Sequence, residues 1–199
     1  GSNTGLGARG VLMGGYQSYP SIVAQIDFLT ISTLGNTQDF GDMNAGAGAG
    51  AVCSSRTRAI HSGGQVPSNV NSIEFITFAS LGNATDFGDT VISGAYGWTM
   101  GVVSSSIRGL FALGSNDSGT YNNIEFITIA TTGNAQDFGD LSETEVYKAG
   151  MCSPTRGLFA GGSDPSVSNV IDFVTIQTTG NSTDFGDITT TGRAQAPGG

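Results

Sequence analysis

Eight aspartates stand in four identical steps of Asp-Phe-Gly-Asp: Asp39/Asp42, Asp86/Asp89, Asp137/Asp140 and Asp184/Asp187. Carboxylates repeated at a fixed interval can serve two chemistries. Brought to one point, they supply the oxygens that a hard cation wants. Left at strand ends, they accept hydrogen bonds from turn N–H groups. The second reading is favoured and the first stays open, since no calcium-loop pattern accompanies the steps. Arg9, Arg58, Arg108 and Arg156 also recur at matching places, and suggest a repeated pair with an acid of the neighbouring unit. His61 is the only histidine. It takes the place held by Leu12, Phe111 and Phe159, and is expected to pack in the core. Acyl-transfer triads and most zinc sites need a histidine. Cys53 and Cys152 match in position too, and are expected as buried free thiols. This inventory assembles no base and nucleophile. It predicts no enzyme, no catalytic residue, no metal and no cofactor.

The acidity follows from repetition. Net charge is −9, and the step aspartates together with Asp27, Glu74, Glu125 and Asp172 make up most of the 16 acids. Acid spread in this way argues against a nucleic-acid partner, which needs clustered Lys and Arg. Asp-Phe-Gly is also a metal-binding step of protein kinases, but their glycine-rich ATP loop, Lys–Glu pair and catalytic loop are missing here. No run of about 18 apolar residues occurs, so no membrane insertion is expected. No signal peptide is visible, and Gly1-Ser2 reads as an expression scar on a fragment of something longer.

The elements that carry these residues come from a longer repeat. The piece Gly35-Asn36-Thr37-Gln38-Asp39-Phe40-Gly41-Asp42 returns at 82–89, 133–140 and 180–187. Ahead of each copy runs a second piece, Ile26-Asp27-Phe28-Leu29-Thr30 in the first unit and 73–77, 124–128 and 171–175 in the others. Phe40, Phe87, Phe138 and Phe185 set a period of 47 to 51 residues. Repeats of that length mean stacked supersecondary units. A unit of this size buries only roughly 60% of its unfolded surface, so the units must lean on each other. We place them at 9–55, 56–105, 106–153 and 154–199, in one domain spanning 1–199.

The third unit shows the pattern. Tyr96 to Ser104 forms strand a, Arg108 to Gly114 strand b, Asn123 to Ile129 strand c and Ala135 to Leu141 strand d. Thr132-Gly133-Asn134 supplies a tight c–d turn that needs positive φ. Strand c is largely apolar on both faces, with Ile124 and Phe126 on one and Ile127 and Ile129 beside Glu125 on the other. A sheet covered on both sides fits this; a half-solvated sheet does not. Strand a is rich in small residues, as in Gly46 to Val52, which suits strands converging on an axis. The expectation is an all-β, four-bladed β-propeller with four antiparallel strands per blade. Its ring closes when Gly192-Arg193-Ala194-Gln195-Ala196 pairs beside the first b strand, with 1–8 taken into the closure, which removes exposed edges. Such a ring is expected as a monomer.

An apolar strand ending in Gly14-Gly15, Gly63-Gly64 or Gly161-Gly162, followed by a spaced aromatic, resembles the kelch repeat. The third unit departs with Leu113-Gly114, and Phe40, Phe87, Phe138 and Phe185 replace the later tryptophan of kelch units. The wording RGLFAGG at 156–162 and IDFVTIQTTGNSTDFGD at 171–187 more closely resembles kelch-like repeats in virion and tail-fibre proteins of marine bacteriophages. The resemblance covers nearly the whole chain. It implies a propeller located in a phage particle. It says little of activity, because propellers host unrelated functions.

The c–d turns barely differ between units, whereas the b–c loops differ greatly. Antiparallel strands put the b–c and d–a connections on one face. Tyr16, Tyr19, Tyr96, Tyr121, Asn116 and Asp164 are the candidate ligand-binding residues of that face. Exposed aromatics among Asn, Asp and Ser make a recognition surface. The expected role is adhesion to a host-surface glycan or protein, in the manner of a tail fibre. The alternative is a structural spacer or assembly domain that meets other virion proteins. Asn83-Ala84-Thr85, Asn116-Asp117-Ser118 and Asn181-Ser182-Thr183 match the N-glycosylation pattern. Two of them are the Gly-Asn turn itself, and a phage-like origin discounts all three.

Overall fold

In a computed structural model of the chain, the described residues are 9–18, 20–44, 46–48, 50–66, 68–92, 101–163 and 166–190. Among them there is no helix, and four antiparallel sheets follow one another in chain order. Sheet 1 holds β1 (Arg9–Ser18), β2 (Ser21–Thr30) and β3 (Gln38–Asp42). Sheet 2 holds β4 (Ala51–Ser54), β5 (Arg58–Ser62), β8 (Ser72–Thr77) and β9 (Thr85–Asp89). Its b–c connection carries a ribbon of β6 (Gln65–Val66) and β7 (Ser68–Asn69). Sheet 3 runs β10 (Gly101–Ser104), β11 (Arg108–Asn116), β12 (Gly119–Thr128) and β13 (Gln136–Asp140). Sheet 4 runs β14 (Ala149–Cys152), β15 (Arg156–Ala160), β16 (Val170–Thr175) and β17 (Thr183–Asp187). Sheets 2 to 4 are therefore the a–b–c–d meander. Sheet 1 shows strands b, c and d; Gly192 to Ala196 and 1–8, expected to complete it, lie outside the described residues.

The Asp-Phe-Gly-Asp spacing builds a bulge. In sheet 3, Ile124 pairs with Gly139 and Glu125 with Asp137, so Phe138 is the extra residue. The other three sheets repeat the shift. A bulge bends its strand and re-aims a side chain. Here Phe138 sets its ring edge-on to Phe126 of strand c at 5.9 Å, and Phe40, Phe87 and Phe185 do the same on Phe28, Phe75 and Phe173. The glycine that follows takes a φ of 142 to 146° in the first three sheets, a region that side chains disfavour.

Successive sheets share one core each. Ile26, Phe28 and Phe40 of sheet 1 pack with Ile76 and Ala84 of sheet 2. Ile73 and Phe87 of sheet 2 pack with Phe111, Ile127 and Ile129 of sheet 3. Ile124, Phe126 and Phe138 of sheet 3 pack with Phe159, Val174 and Ile176 of sheet 4. Both faces of strand c in sheet 3 are thus buried, as its apolar pattern demands.

Backbone bonds stitch the same three seams. The N–H groups of Gly82, Gly133 and Gly180 donate to the carbonyls of Phe40, Phe87 and Phe138 in the preceding sheet, at 2.7 to 2.8 Å. The N–H groups of Ala84, Ala135 and Ser182 donate to the carbonyls of Asp42, Asp89 and Asp140 at 2.8 Å. The N–H groups of these aspartates return the bond to Oδ1 of Asn83, Asn134 and Asn181 at 3.1 Å. The Gly-Asn turn is therefore a clasp as well as a hairpin end. Asn83 and Asn181, which open two of the glycosylation patterns, spend their side-chain oxygens in it.

The arginines correct one expectation. Arg58 lies 4.2 Å above the Phe75 ring and donates to the Ile129 carbonyl of sheet 3 at 3.0 Å. Arg9 stacks on Phe28 and reaches the Phe78 carbonyl, and Arg108 stacks on Phe126 and reaches Ile176 at 3.2 Å. Their neighbours across the seam are carbonyls, not acids. Each carbonyl lies one residue past strand c, beyond its ladder, and must find a donor elsewhere. Arg156 stacks on Phe173 at 4.9 Å, and no such carbonyl bond is seen for it among the described residues. Arg108→Met is therefore expected to cost about 2 kcal/mol, the sum of a charge-assisted bond and a ring contact. Arg156→Met should cost less than half of that. Urea unfolding of both variants checks the difference.

No closed ring is seen among the described residues. Among those residues, sheet 4 shows no bond to sheet 1 of the kind that joins the other pairs.

Candidate binding face

The c–d turns of sheets 2 to 4 are consumed by the seams, which directs attention to the opposite ends of strand c. There the b–c connections differ in form. Sheets 1 and 3 extend theirs into long hairpins, with Arg9–Ser18 against Ser21–Thr30 and Arg108–Asn116 against Gly119–Thr128. Along the long b strands the register shifts between Met13 and Gly15 and between Ala112 and Gly114, where Gly14 and Gly114 take φ of 61 and 69°. A glycine at such a position makes the bulge that aims the hairpin tip.

At the tip of sheet 3, Asn116 Oδ1 accepts from the N–H groups of Ser118 and Gly119 at 2.8 and 3.2 Å, and from the Tyr121 hydroxyl at 3.2 Å. The structure therefore brings two of the candidate residues, Asn116 and Tyr121, together. It joins them to each other as the scaffold of a turn. Asn69 of the β6–β7 ribbon donates to Asp117 Oδ2 at 2.9 Å, which links the loops of sheets 2 and 3. Tyr16 is 40% exposed on β1, with its ring against Gly48. Tyr19, Tyr96 and Asp164 lie outside the described residues.

The acids on strand c have a task that their spacing alone did not reveal. Glu125 is buried and accepts the N–H groups of Val91 and Ile92 at 2.9 and 2.7 Å. Glu74 accepts from Asn44, and Asp172 accepts the Ser142 hydroxyl. Each acid thus pins the chain that leaves strand d of the preceding sheet. Burial pushes the Glu125 carboxyl above its ordinary range; the bonds from Ile92 and Val91 oppose this, and Asp137 adds to it. Of the step aspartates, Asp39 and Asp184 accept from Gly41 and Gly186 N–H at 3.1 and 2.9 Å, the turn-capping role. Among the described residues no group of three or more His, Cys, Asp or Glu is placed to hold a metal ion.

The interior groups are withdrawn from solvent. His61 is 2% exposed and faces Gly50, whose missing side chain makes room for the ring. Burial lowers its pKa to about 4. Cys53 is buried against Gly109 with its thiol pushed up to about 12, and Cys152 is half-buried; both are free. A thiol held protonated is a poor nucleophile. Sequence reasoning missed a buried pair, Lys148 to Glu145 at 3.2 Å, with Lys148 also donating to the Gly161 carbonyl at 2.9 Å. Burial raises the Glu145 carboxyl, which Lys148 partly offsets. The one available signal was that Lys148 is the only lysine. It lies just ahead of β14, and no other unit carries a lysine.

Clefts beside the c–d turns of sheets 1, 2 and 3 hold about 220, 100 and 220 Å³. Sites that enclose a small molecule run from roughly 300 to 1,000 Å³. In comparisons with known proteins, no family model matches the chain and no curated protein matches it.

Proposed function

We propose that the four sheets are blades of a kelch-like β-propeller. We read the propeller as a non-enzymatic, virion-associated binding module that meets a host-surface glycan or protein through its b–c and d–a loops. One observation carries this reading: the c–d turns of sheets 2 to 4 make one and the same clasp on the preceding sheet, while the b–c loops at the other end of strand c differ in length and residues. Tyr16 offers an exposed ring there. Withdrawal of His61 and Cys53 from solvent supports a role without catalysis. The net charge of −9 supports a partner other than nucleic acid. Binding at such a surface is modest per site and gains from several copies acting together.

The test is a glycan and host-surface protein array. Tyr16→Ala is expected to weaken the strongest signal at least tenfold while the variant keeps its strand content by circular dichroism. Tyr19→Ala tests the neighbouring loop residue. A wild-type chain that binds nothing on a broad host-surface panel overturns the adhesion reading. The second reading is an assembly or spacer domain of a phage particle. The unmade seam between sheets 4 and 1 favours it.

A further inference from the structure

Three seams are built from the same parts, and the parts of a fourth are present but apart. Every seam pairs an outgoing half with an incoming half. The outgoing half is the step phenylalanine with the aspartate after it, plus the arginine of strand b. The incoming half is the Gly-Asn turn, the residue past strand c, and the strand-b residue that fills the core.

Among the described residues, sheet 4 carries an outgoing half with no receiver. Phe185 is 52% exposed, against 2 to 3% for Phe40, Phe87 and Phe138. A side chain at Gly186 would meet nothing within 4 Å, whereas at Gly41 and Gly88 it would strike the next sheet's backbone. Among the described residues, sheet 1 carries an incoming half with no donor. Ile31 is 66% exposed, although its counterparts Ile129 and Ile176 are buried. Leu12 is 54% exposed, although Phe111 and Phe159 are fully buried. Gly82, Gly133 and Gly180 take φ of 147 to 151°, and Gly35 is not among the positive-φ glycines. The turn adopts that backbone where a preceding sheet clasps it.

We infer that a second copy of this chain is the partner of both halves. The Phe185–Asp187 edge and Arg156 of one copy receive the Gly35-Asn36 turn and Ile31 of the next, head to tail. The bonds follow from the internal seams. Gly35 N–H donates to the Phe185 carbonyl, Asp187 N–H donates to Asn36 Oδ1, and Arg156 donates to the Ile31 carbonyl. The contact is heterologous, so two copies close into a ring of eight sheets if the rotation suits, and otherwise the array grows. Eight is within the range of known propellers. The inference stands apart from the adhesion reading, because none of the bonds named for the fourth seam comes from a b–c or d–a loop.

Sedimentation velocity across a hundredfold range of concentration tests it. The wild-type chain is expected to associate as concentration rises. Ile31→Glu and Phe185→Glu each block a different half at an exposed position, and each alone is expected to stay monomeric with its melting temperature kept. Mixed together, they leave one seam intact and are expected to form a dimer and nothing larger. A wild-type monomer at every concentration overturns the inference. So does a wild-type monomer whose melting temperature falls by several degrees in both variants, since that result means the seam closes within one chain. Rescue failing on mixing also overturns it, because a two-fold symmetric contact would not be complemented.

Discussion

Gly88→Ala should lower the melting temperature by roughly 10 °C, and Gly186→Ala by about half as much. Both glycines hold positive φ, at 146 and 135°, so both substitutions carry backbone strain of about 1–3 kcal/mol. Only Gly88 meets a neighbour: a Cβ there would lie 2.5 Å from the Gly133 carbonyl oxygen of sheet 3. That oxygen belongs to backbone clasped in the seam and cannot swing aside as a side chain would. Forcing the sheets apart adds about 1–3 kcal/mol. For a chain of this size each kcal/mol moves the midpoint by about 2–4 °C. Thermal melts at dilute, monomeric concentration measure the pair. Equal shifts at the two positions would mean that strain alone governs the step and that the seam bears little of the stability.

Acid should weaken the fold through His61, and His61→Phe should remove that dependence. The ring titrates near 6.5 in the unfolded chain and near 4 when folded, because burial disfavours the cation. Between those values the unfolded state binds a proton that the folded state refuses. The contribution is whole above about pH 6.5, shrinks as pH falls, and stops changing below about pH 4. The loss totals about 3 kcal/mol. Glu125 and Glu145 act in the opposite sense. Their raised values let the folded state hold a proton more tightly, so they gain stability as pH drops through their range. The wild-type slope is therefore a net, and the difference from His61→Phe isolates the histidine. Phenylalanine is what sheets 3 and 4 carry at this place, as Phe111 and Phe159. Urea midpoints at pH 7 and pH 4.5 make the comparison. A variant that loses as much stability between them as the wild type sinks the assignment.

Much of the fold is legible because period and pattern are local. The interval between Phe40, Phe87, Phe138 and Phe185 announced the four sheets. The doubly apolar strand c announced a sheet covered on both sides. Three matters were not legible, each for a physical reason. Arg58 was expected beside an acid, yet Ile129 offers a carbonyl, and main-chain acceptors leave no trace in a sequence. Lys148 and Glu145 lie in the irregular approach to β14, where repetition gives no guide. The fourth seam was invisible for a deeper reason. Phe185 and Phe138 stand in the same wording, so the residues read alike whether or not a partner covers them. The candidate face was only half legible. Tyr121 and Asn116 were foreseen as ligand contacts, but the tip of a tight hairpin needs Asn116 Oδ1 for its own N–H groups.

The Gly-Asn clasp and the b–c tips lie at opposite ends of strand c. A mutation in the Tyr16 or Asn116 region therefore leaves the clasp of Gly82 on Phe40, or of Gly133 on Phe87, untouched. A lineage carrying this unit can drift freely at its tips while selection guards its hinges. It can also lengthen by duplicating a unit, since each copy arrives with a plug and a socket that already fit.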